Sequence, residues 1–199
     1  MIVQKVLGID LAGSEKRYSG VCIMDESLNA RTLSLKRDEE IISCAIKENP
    51  IVIAIDAPLS LPLGKISLEE PAPIHLRECD RALLKMGIKL FPASLGPMRK
   101  LTNRGIKLRK IFEEKGFEVI EVLPGATQDL LGIPRKHQDI KALAKGLKEL
   151  GIKGIKENMS GDELDAITCA YTALLYLKRK YYSVGNEEEG IIIIPKIFI

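Results

Sequence analysis

The segment Ile51–Ile55 constrains the fold of this chain more than any other. Every position in it is apolar, with no alternation of apolar and polar residues. Strands with this pattern lie inside a sheet, where other elements cover both faces. The segment follows Asn49-Pro50, which ends the preceding helical pattern, and it runs into Asp56. The sequence therefore predicts an α/β protein whose central strand ends in a carboxylate.

The remaining elements follow from hydrophobic periodicity. Residues 3–10, Ser19–Asp25 and Leu28–Leu35 predict three strands, and the tight turn at Glu26-Ser27 makes the last two antiparallel. Two later segments also have strand patterns, namely Phe117–Leu123 and Ile191–Pro195. Five segments show helical spacing of their apolar residues: Arg37–Glu48, Ile74–Met86, Met98–Glu114, Gln138–Leu150 and Ser160–Lys180.

The length of 199 residues predicts one domain, residues 1–199. Six of the ten prolines fall between residues 57 and 97, which predicts an insertion over about 57–97 that covers the functional site. The apolar runs are too short to cross a bilayer, and the first residues lack a signal-peptide pattern. The four cysteines have no metal-ligand spacing. We therefore expect a cytoplasmic protein with reduced thiols and no membrane partner.

Carboxylates at two strand ends and one helix start are the candidate functional groups. Asp10 ends the first strand, Asp56 ends the central strand, and Asp162 and Asp165 lie three residues apart at the start of the last helix. Ionised carboxylates at buried strand ends are rare unless they are paired or bind a metal. Residues at i and i+3 share a helix face, and hard oxygen ligands favour Mg²⁺ or Mn²⁺. We expect Asp10, Asp56 and Asp165 in one site.

Each carboxylate also has an explanation without a metal. Asp10 and Asp56 could serve turns, because aspartate is common there. Glu121 lies on the inward face of its predicted strand and is expected at the rim of the site, although a buried arginine or lysine would satisfy it equally well. Ser160 and Glu163 fit a capping box. Asp162, also expected at the rim, could therefore serve the helix dipole alone.

Positive charge is concentrated in the middle of the chain. Between Arg77 and Lys110 there are ten basic residues and two acidic ones. This distribution predicts a surface that binds nucleic-acid phosphates, with four side chains facing the cleft: Arg77, Arg81, Arg104 and Lys107. A solvated helix face is the alternative for Arg77 and Arg81.

Six short segments together resemble the ribonuclease H-like superfamily. They are residues 8–14 (GIDLAGS), 19–21 (SGV), 55–62 (IDAPLSLP), 77–81 (RECDR), 121–126 (EVLPGA) and 162–166 (DELDA). The chain is most similar to an uncharacterised domain-of-unknown-function family of predicted nucleases related to Holliday-junction resolvases. The resemblance implies an α/β fold with a five-stranded mixed sheet in the order 3-2-1-4-5 and helices on both faces. It also implies an acidic cluster in which Asp56 and Glu121 compete for one position.

These features together predict a nuclease that uses Mg²⁺ or Mn²⁺ to hydrolyse phosphodiester bonds of DNA or RNA by a two-metal carboxylate mechanism. Its catalytic and metal-binding residues would be Asp10, Asp56, Glu121, Asp162 and Asp165. A non-catalytic nucleic-acid-binding module of the same fold is the first alternative. An actin- or sugar-kinase-like phosphotransferase is the second, although the further glycine-rich motifs it needs are absent from the sequence. A dimer is compatible with each of these three functions.

Overall fold

The computed structural model describes residues 4–69 and 73–196, which form one mixed sheet with helices on both faces. Its strands are β1 (Lys5–Asp10), β2 (Ser19–Asp25), β3 (Ala30–Leu35), β4 (Val52–Asp56), β5 (Glu118–Val122), β6 (Tyr181–Asn186) and β7 (Gly190–Pro195). Its helices are α1 (Asp38–Glu48), α2 (Glu78–Lys85), α3 (Met98–Glu114), α4 (Pro124–Leu130), α5 (Ile140–Glu149) and α6 (Gly161–Leu177).

The strand order is β3-β2-β1-β4-β5-β7-β6. β1, β4, β5 and β7 are mutually parallel neighbours, whereas β2, β3 and β6 run antiparallel to the strands beside them. The first five strands thus have the expected order 3-2-1-4-5. The expected number of five is wrong, because the described part of the sheet has seven. The β6–β7 hairpin extends it beyond β5.

The two faces of the sheet have separate cores because side chains alternate along each strand. Val6 of β1 and Val52 and Ala54 of β4 pack with α6 and α5 on one face. Leu7, Ile53 and other alternate residues pack with α1 and α3 on the opposite face. This double coverage explains the apolar run in β4.

Two glycines let α6 lie directly on the sheet. A Cβ atom at Gly8 would stand 2.3 Å from the Ala166 carbonyl oxygen, and one at Gly20 would stand 2.1 Å from the Asp162 carbonyl oxygen. Such distances are far below van der Waals contact. The absence of a side chain at Gly8 and Gly20 therefore brings the start of α6 against β1 and β2.

Several boundaries differ from the sequence-based predictions. α2 is shorter than predicted, and α4 and β6 were not predicted. α4 is seven residues long and starts at Pro124, a proline position that favours a helix start but gives little periodicity to detect. β6 lies at the edge of the sheet, and its exposed and half-buried residues do not alternate, so it also has no period to detect. No helix in the described residues is long and apolar enough to cross a membrane.

The proline-rich segment is attached to the β6–β7 turn through Glu189. This buried carboxylate accepts hydrogen bonds from the backbone N–H groups of Leu63 (2.8 Å) and Glu78 (2.6 Å) and from the Arg81 guanidinium (2.9 Å). The predicted insertion includes residues 70–72, which lie outside the described residues.

Candidate acidic site

Asp10 and Asp56 lie side by side at the carboxyl ends of β1 and β4. The two residues are direct partners in the parallel register of these strands. Both continue the alternation that directs Val6, Val52 and Ala54 towards α6. Since the carboxyl ends of neighbouring parallel strands share one edge of a sheet, the backbone alone places these two carboxylates together.

The start of α6 brings two further carboxylates to the same place. Ser160 caps the helix, and its hydroxyl accepts a hydrogen bond from the Glu163 backbone N–H at 3.2 Å. The Glu163 side chain completes the capping box predicted from the sequence. Asp162 and Asp165 then face β1, because Gly20, the register partner of Asp10, lies under the first turn of the helix.

Lys136 connects three of these carboxylates. Its Nζ atom lies 2.8 Å from an Asp10 oxygen, 2.8 Å from an Asp162 oxygen and 3.0 Å from an Asp165 oxygen. The ammonium group therefore occupies the point on which the carboxylates converge. Sequence reasoning missed Lys136, which lies in the loop between α4 and α5 and has no pattern that separates it from other lysines.

Gln128 of α4 positions Asp165 from the other side. Its side-chain amide donates hydrogen bonds to Asp165 Oδ1 at 2.7 Å and to Thr168 Oγ1 at 3.2 Å. Asp165 thus has one oxygen bonded to an amide and the other paired with Lys136. Gln128 also escaped the sequence analysis because α4 itself did.

Burial and mutual repulsion perturb the titration of the cluster. Burial raises the pKa of Asp10 to about 7, with Lys136 opposing and Asp165 reinforcing the shift. Burial, and then the charges of Asp10 and Asp165, raise the pKa of Asp56 well above its usual value. Burial alone would lower the pKa of Lys136, but the charges of Asp10 and Asp165 outweigh it and raise that pKa. One ammonium therefore does not fully compensate the acids.

Asp56 differs from the other carboxylates of the cluster. Among the hydrogen bonds of the described residues, none reaches its side chain, whereas Asp10, Asp162 and Asp165 all contact Lys136. Asp56 is half-buried, and a carboxylate that is largely removed from water without such a partner is energetically costly. Asp56 is consequently the acceptor in the cluster with most capacity for an added cation or donor.

Glu121 lies outside this arrangement. It follows Val119, whose side chain packs on the opposite face of the sheet from α6. The Arg77 guanidinium forms two hydrogen bonds to its carboxylate, at 2.7 and 2.6 Å, and the Leu59 N–H donates a third at 2.8 Å. The buried arginine that the sequence left open as an alternative is therefore present. Metal binding by Glu121 stays a prediction that these contacts do not support.

The four predicted phosphate-binding residues do not share one surface. Arg77 and Arg104 are only 1% and 7% exposed. Arg104 donates to Asp38, to the Ala12 carbonyl and to the Lys36 carbonyl, each at 2.7 Å. Both guanidinium groups are thus bound inside the protein, and phosphate binding by Arg77 and Arg104 stays a prediction that these contacts do not support.

The other two predicted residues are more accessible. Arg81 pairs with Glu189 at 2.9 Å, and Lys107 pairs with Asp38 at 3.1 Å. Roughly half or more of each side chain is exposed. Four further cations between α2 and the start of α3 are exposed and have no ion pair with any described acid: Lys85, Lys89, Arg99 and Lys100.

The donor chemistry of the cluster suits a divalent cation, but the side-chain arrangement is that of an ion-paired site. Carboxylate oxygens are the ligands that Mg²⁺ and Mn²⁺ prefer. In the described part of the chain, no group of three or more His, Cys, Asp or Glu side chains is arranged to hold a metal ion. The Lys136 ammonium stands between the carboxylates instead.

The comparisons with known proteins establish the fold. No known protein family and no curated protein matches the sequence. The solved structure of RuvC from Thermus thermophilus matches 88% of this chain and 97% of its own chain, with a TM-score of 0.51 and 15% sequence identity. Likeness at this identity is evidence for the fold alone. The chain therefore has an α/β fold like that of RuvC, which supports the expected ribonuclease H-like architecture.

Proposed function

We propose that this protein is a metal-dependent nuclease that hydrolyses phosphodiester bonds of nucleic acids. One observation carries the proposal. Asp10, Asp56, Asp162 and Asp165 come from three separate elements and converge at one edge of a sheet whose fold is shared with RuvC. Four carboxylates around one ammonium leave excess negative charge, which a divalent cation would compensate.

In this proposal Asp10, Asp56 and Asp165 hold the cation, and Asp162 lies beside them. When bound, the metal activates water and stabilises the leaving oxygen of the phosphodiester. Gln128 fixes the orientation of Asp165 through its 2.7 Å hydrogen bond. The exposed cations Lys85, Lys89, Arg99 and Lys100 would attract the phosphate backbone, so that binding weakens steeply as salt is added.

The experiment is an activity screen with Mg²⁺ and Mn²⁺ on labelled DNA, RNA, hybrid and junction substrates. Asp165→Asn should lose at least two orders of magnitude in rate, because the neutral amide removes a ligand charge at the metal. Asp139→Asn is the matched control. Asp139 caps α5 and forms no ion pair or hydrogen bond with the four carboxylates among the described residues, and asparagine caps helices as well as aspartate.

Full activity of Asp165→Asn would exclude the carboxylate mechanism. Its stability should be followed in parallel by thermal unfolding, so that a folding defect is separated from a catalytic one.

A non-catalytic nucleic-acid-binding protein is the second candidate, favoured by Lys136. An internal ammonium bonded to three acids can compensate part of the cluster without a metal. A metal titration distinguishes the two candidate functions. Mg²⁺ or Mn²⁺ should raise the melting temperature of a nuclease, since a ligand of the native state stabilises it. It should leave that of a pure binding protein unchanged.

A further inference from the structure

A large cavity opens beside the acidic site, and the proposed carboxylate mechanism gives it no role. It measures about 720 Å³ and lies between residues 84–101, the carboxyl ends of β4 and β5, and the loop around Arg135. We call it the insertion cavity. Asp56 lies in its wall and in the acidic cluster, so the two sites are contiguous.

The wall of the insertion cavity is largely apolar. Its side chains include Leu84, Leu90, Phe91, Met98, Leu101 and Leu123. Phe91 is 78% exposed although it is a large aromatic residue at the edge of a cavity. Its ring is therefore available to stack on a flat ligand.

Most charged groups in the wall are bound to one another, since Arg77 pairs with Asp80 and Glu121, and Arg135 pairs with Asp129. Asp56 offers a carboxylate that no described residue hydrogen-bonds, and Gln138 and His137 lie along the same wall. Arg135 is held rigidly by Asp129 at 2.6 Å and by the Lys89 carbonyl at 3.0 Å. A ligand that fits must combine an apolar face with N–H donors for Asp56.

We propose that the insertion cavity receives one unpaired nucleobase of the strand whose backbone lies at the acidic site, an inference that rests on the proposed function. A nucleobase has flat apolar faces and N–H donors on its edge. A phosphate has no apolar face to cover Phe91 and the leucines of the wall, and a purely aliphatic ligand would leave the Asp56 carboxylate without a hydrogen-bond partner. Pockets for extruded bases combine stacking with hydrogen bonds in this way.

The volume is compatible with this occupant. Pockets of about 300–1,000 Å³ accommodate small organic ligands, and the insertion cavity lies within that range. A base must be unstacked and unpaired to enter. The protein would therefore bind single-stranded or locally unpaired nucleic acid in preference to intact duplex.

The test is a binding measurement that involves no hydrolysis. A short fluorescein-labelled single-stranded DNA and RNA of the same sequence are titrated with the full chain by fluorescence anisotropy, in Ca²⁺, which carboxylate oxygens also bind, and gel electrophoresis confirms that the strands stay intact. A series of DNA strands carries one abasic position each, moved along the strand. For the wild-type protein, one position should weaken binding roughly five- to hundredfold, the range for loss of one base–aromatic stack.

Phe91→Ala should weaken binding of the intact strand by a similar factor. Removing the base at the sensitive position should then cause little further loss, because both changes remove the same contact. Met86→Ala is the matched control. Met86 is an exposed apolar residue at the end of α2, 52% exposed, and does not line the insertion cavity. It should bind like the wild type.

The proposal is overturned if wild-type protein does not bind the strands, if no abasic position matters, or if Phe91→Ala and Met86→Ala have equal effects. Metal-dependent hydrolysis measured separately would leave the proposed function standing in those cases. Conversely, one sensitive position coupled to Phe91, without hydrolysis in any metal, would support the cavity and contradict the nuclease.

Discussion

At the scale of single residues, the acidic site depends on a balance between four carboxylates and Lys136. The ammonium contacts Asp10, Asp162 and Asp165 within 3.0 Å. A divalent cation held by the same oxygens would have to displace it. We therefore expect Lys136 to stabilise the metal-free protein and to compete with the proposed metal ion.

Lys136→Met should separate these two effects. In EDTA the free energy of unfolding should fall by about 2 kcal/mol, less than the 3–5 kcal/mol for fully buried pairs because Lys136 is partly exposed. Affinity for Mn²⁺ should rise, since the competing charge has gone. Urea unfolding and isothermal titration calorimetry measure the two quantities. Lys136→Arg should have a stability closer to that of the wild type. If Lys136→Met binds Mn²⁺ no more tightly than the wild type does, Lys136 does not compete with the metal.

The raised pKa of Asp10 predicts a pH dependence with a defined sign. Between about pH 4 and pH 7 the unfolded chain has released this proton, whereas native Asp10 retains it until its pKa of about 7. The contribution of Asp10 to stability is thus complete at low pH and is lost as the pH rises through this window. One pKa unit corresponds to about 1.4 kcal/mol, so the change amounts to a few kcal/mol.

Asp10→Asn should remove this dependence. The measurement is urea unfolding in EDTA across the window, with the free energy of the variant subtracted from that of the wild type. The subtraction is needed because Glu163 and Glu189 titrate in the opposite sense. Burial raises the pKa of each of these carboxyl groups, but hydrogen bonds to the carboxylates outweigh it and lower the pKa, so their stabilisation is lost as the pH falls. A difference that does not vary with pH would contradict the raised pKa.

At the scale of elements, the site exists because α6 lies close to β1 and β2. Helices usually pack on sheets through side chains, yet here Gly8 and Gly20 put the sheet backbone near the helix backbone. This contact moves Asp162 and Asp165 within reach of Asp10. The same approach closes the core on that face of the sheet, where Ala166 and Ala170 are completely buried.

Gly8→Ala should therefore damage both stability and the site. The new Cβ atom would stand 2.3 Å from the Ala166 carbonyl oxygen and from the Ala170 nitrogen, so α6 must shift. We expect a loss of about 3 kcal/mol by chemical denaturation, at the upper end of overpacking effects, together with weaker Mn²⁺ binding. Gly13→Ala is the control because its Cβ would make only ordinary contacts at 3.7 Å or more. Equal stability of the two variants would rule out this packing role.

At the scale of the whole molecule, ion pairs attach the proline-rich segment to the sheet. Arg77 joins Asp80 to Glu121 of β5, and Glu189 joins the β6–β7 turn to Leu63, Glu78 and Arg81. Through these contacts residues 84–101 are positioned as one wall of the insertion cavity. Between Arg77 and Lys110, the buried arginines thus stabilise the fold, and the exposed lysines give the surface its positive charge.

Glu189→Ala should loosen this attachment. It removes three hydrogen bonds to a charged acceptor, each worth about 1.5–3 kcal/mol at most, and leaves two N–H donors without their partner. We expect lower stability and faster limited proteolysis within residues 57–77, followed by mass spectrometry. Glu188→Ala, at the exposed neighbouring position, should be cut like the wild type. An unchanged cleavage rate in Glu189→Ala would show that other contacts hold the segment.

The sequence by itself determined the local structure and the strand-end acids. The apolar run before Asp56 predicted a central strand covered on both faces, and the Ser160–Glu163 capping box predicted the start of α6. The positions of Asp10, Asp56 and Asp165 in one place followed from these elements and from the family resemblance. The periodicity of apolar residues and the capping of helices are local properties of the sequence. They can therefore be predicted without knowing which elements pack together.

Only the tertiary structure decided which charges meet. Glu121 and Asp56 are close in the sheet, but strand alternation sends Glu121 to Arg77 on the opposite face. Lys136 and Gln128 reach the acids from a loop and a short helix that carry no periodic signal. The β6–β7 hairpin pairs beside β5 through long-range contacts. Pairing between distant charges and strands depends on the whole packed chain, and no local pattern encodes it.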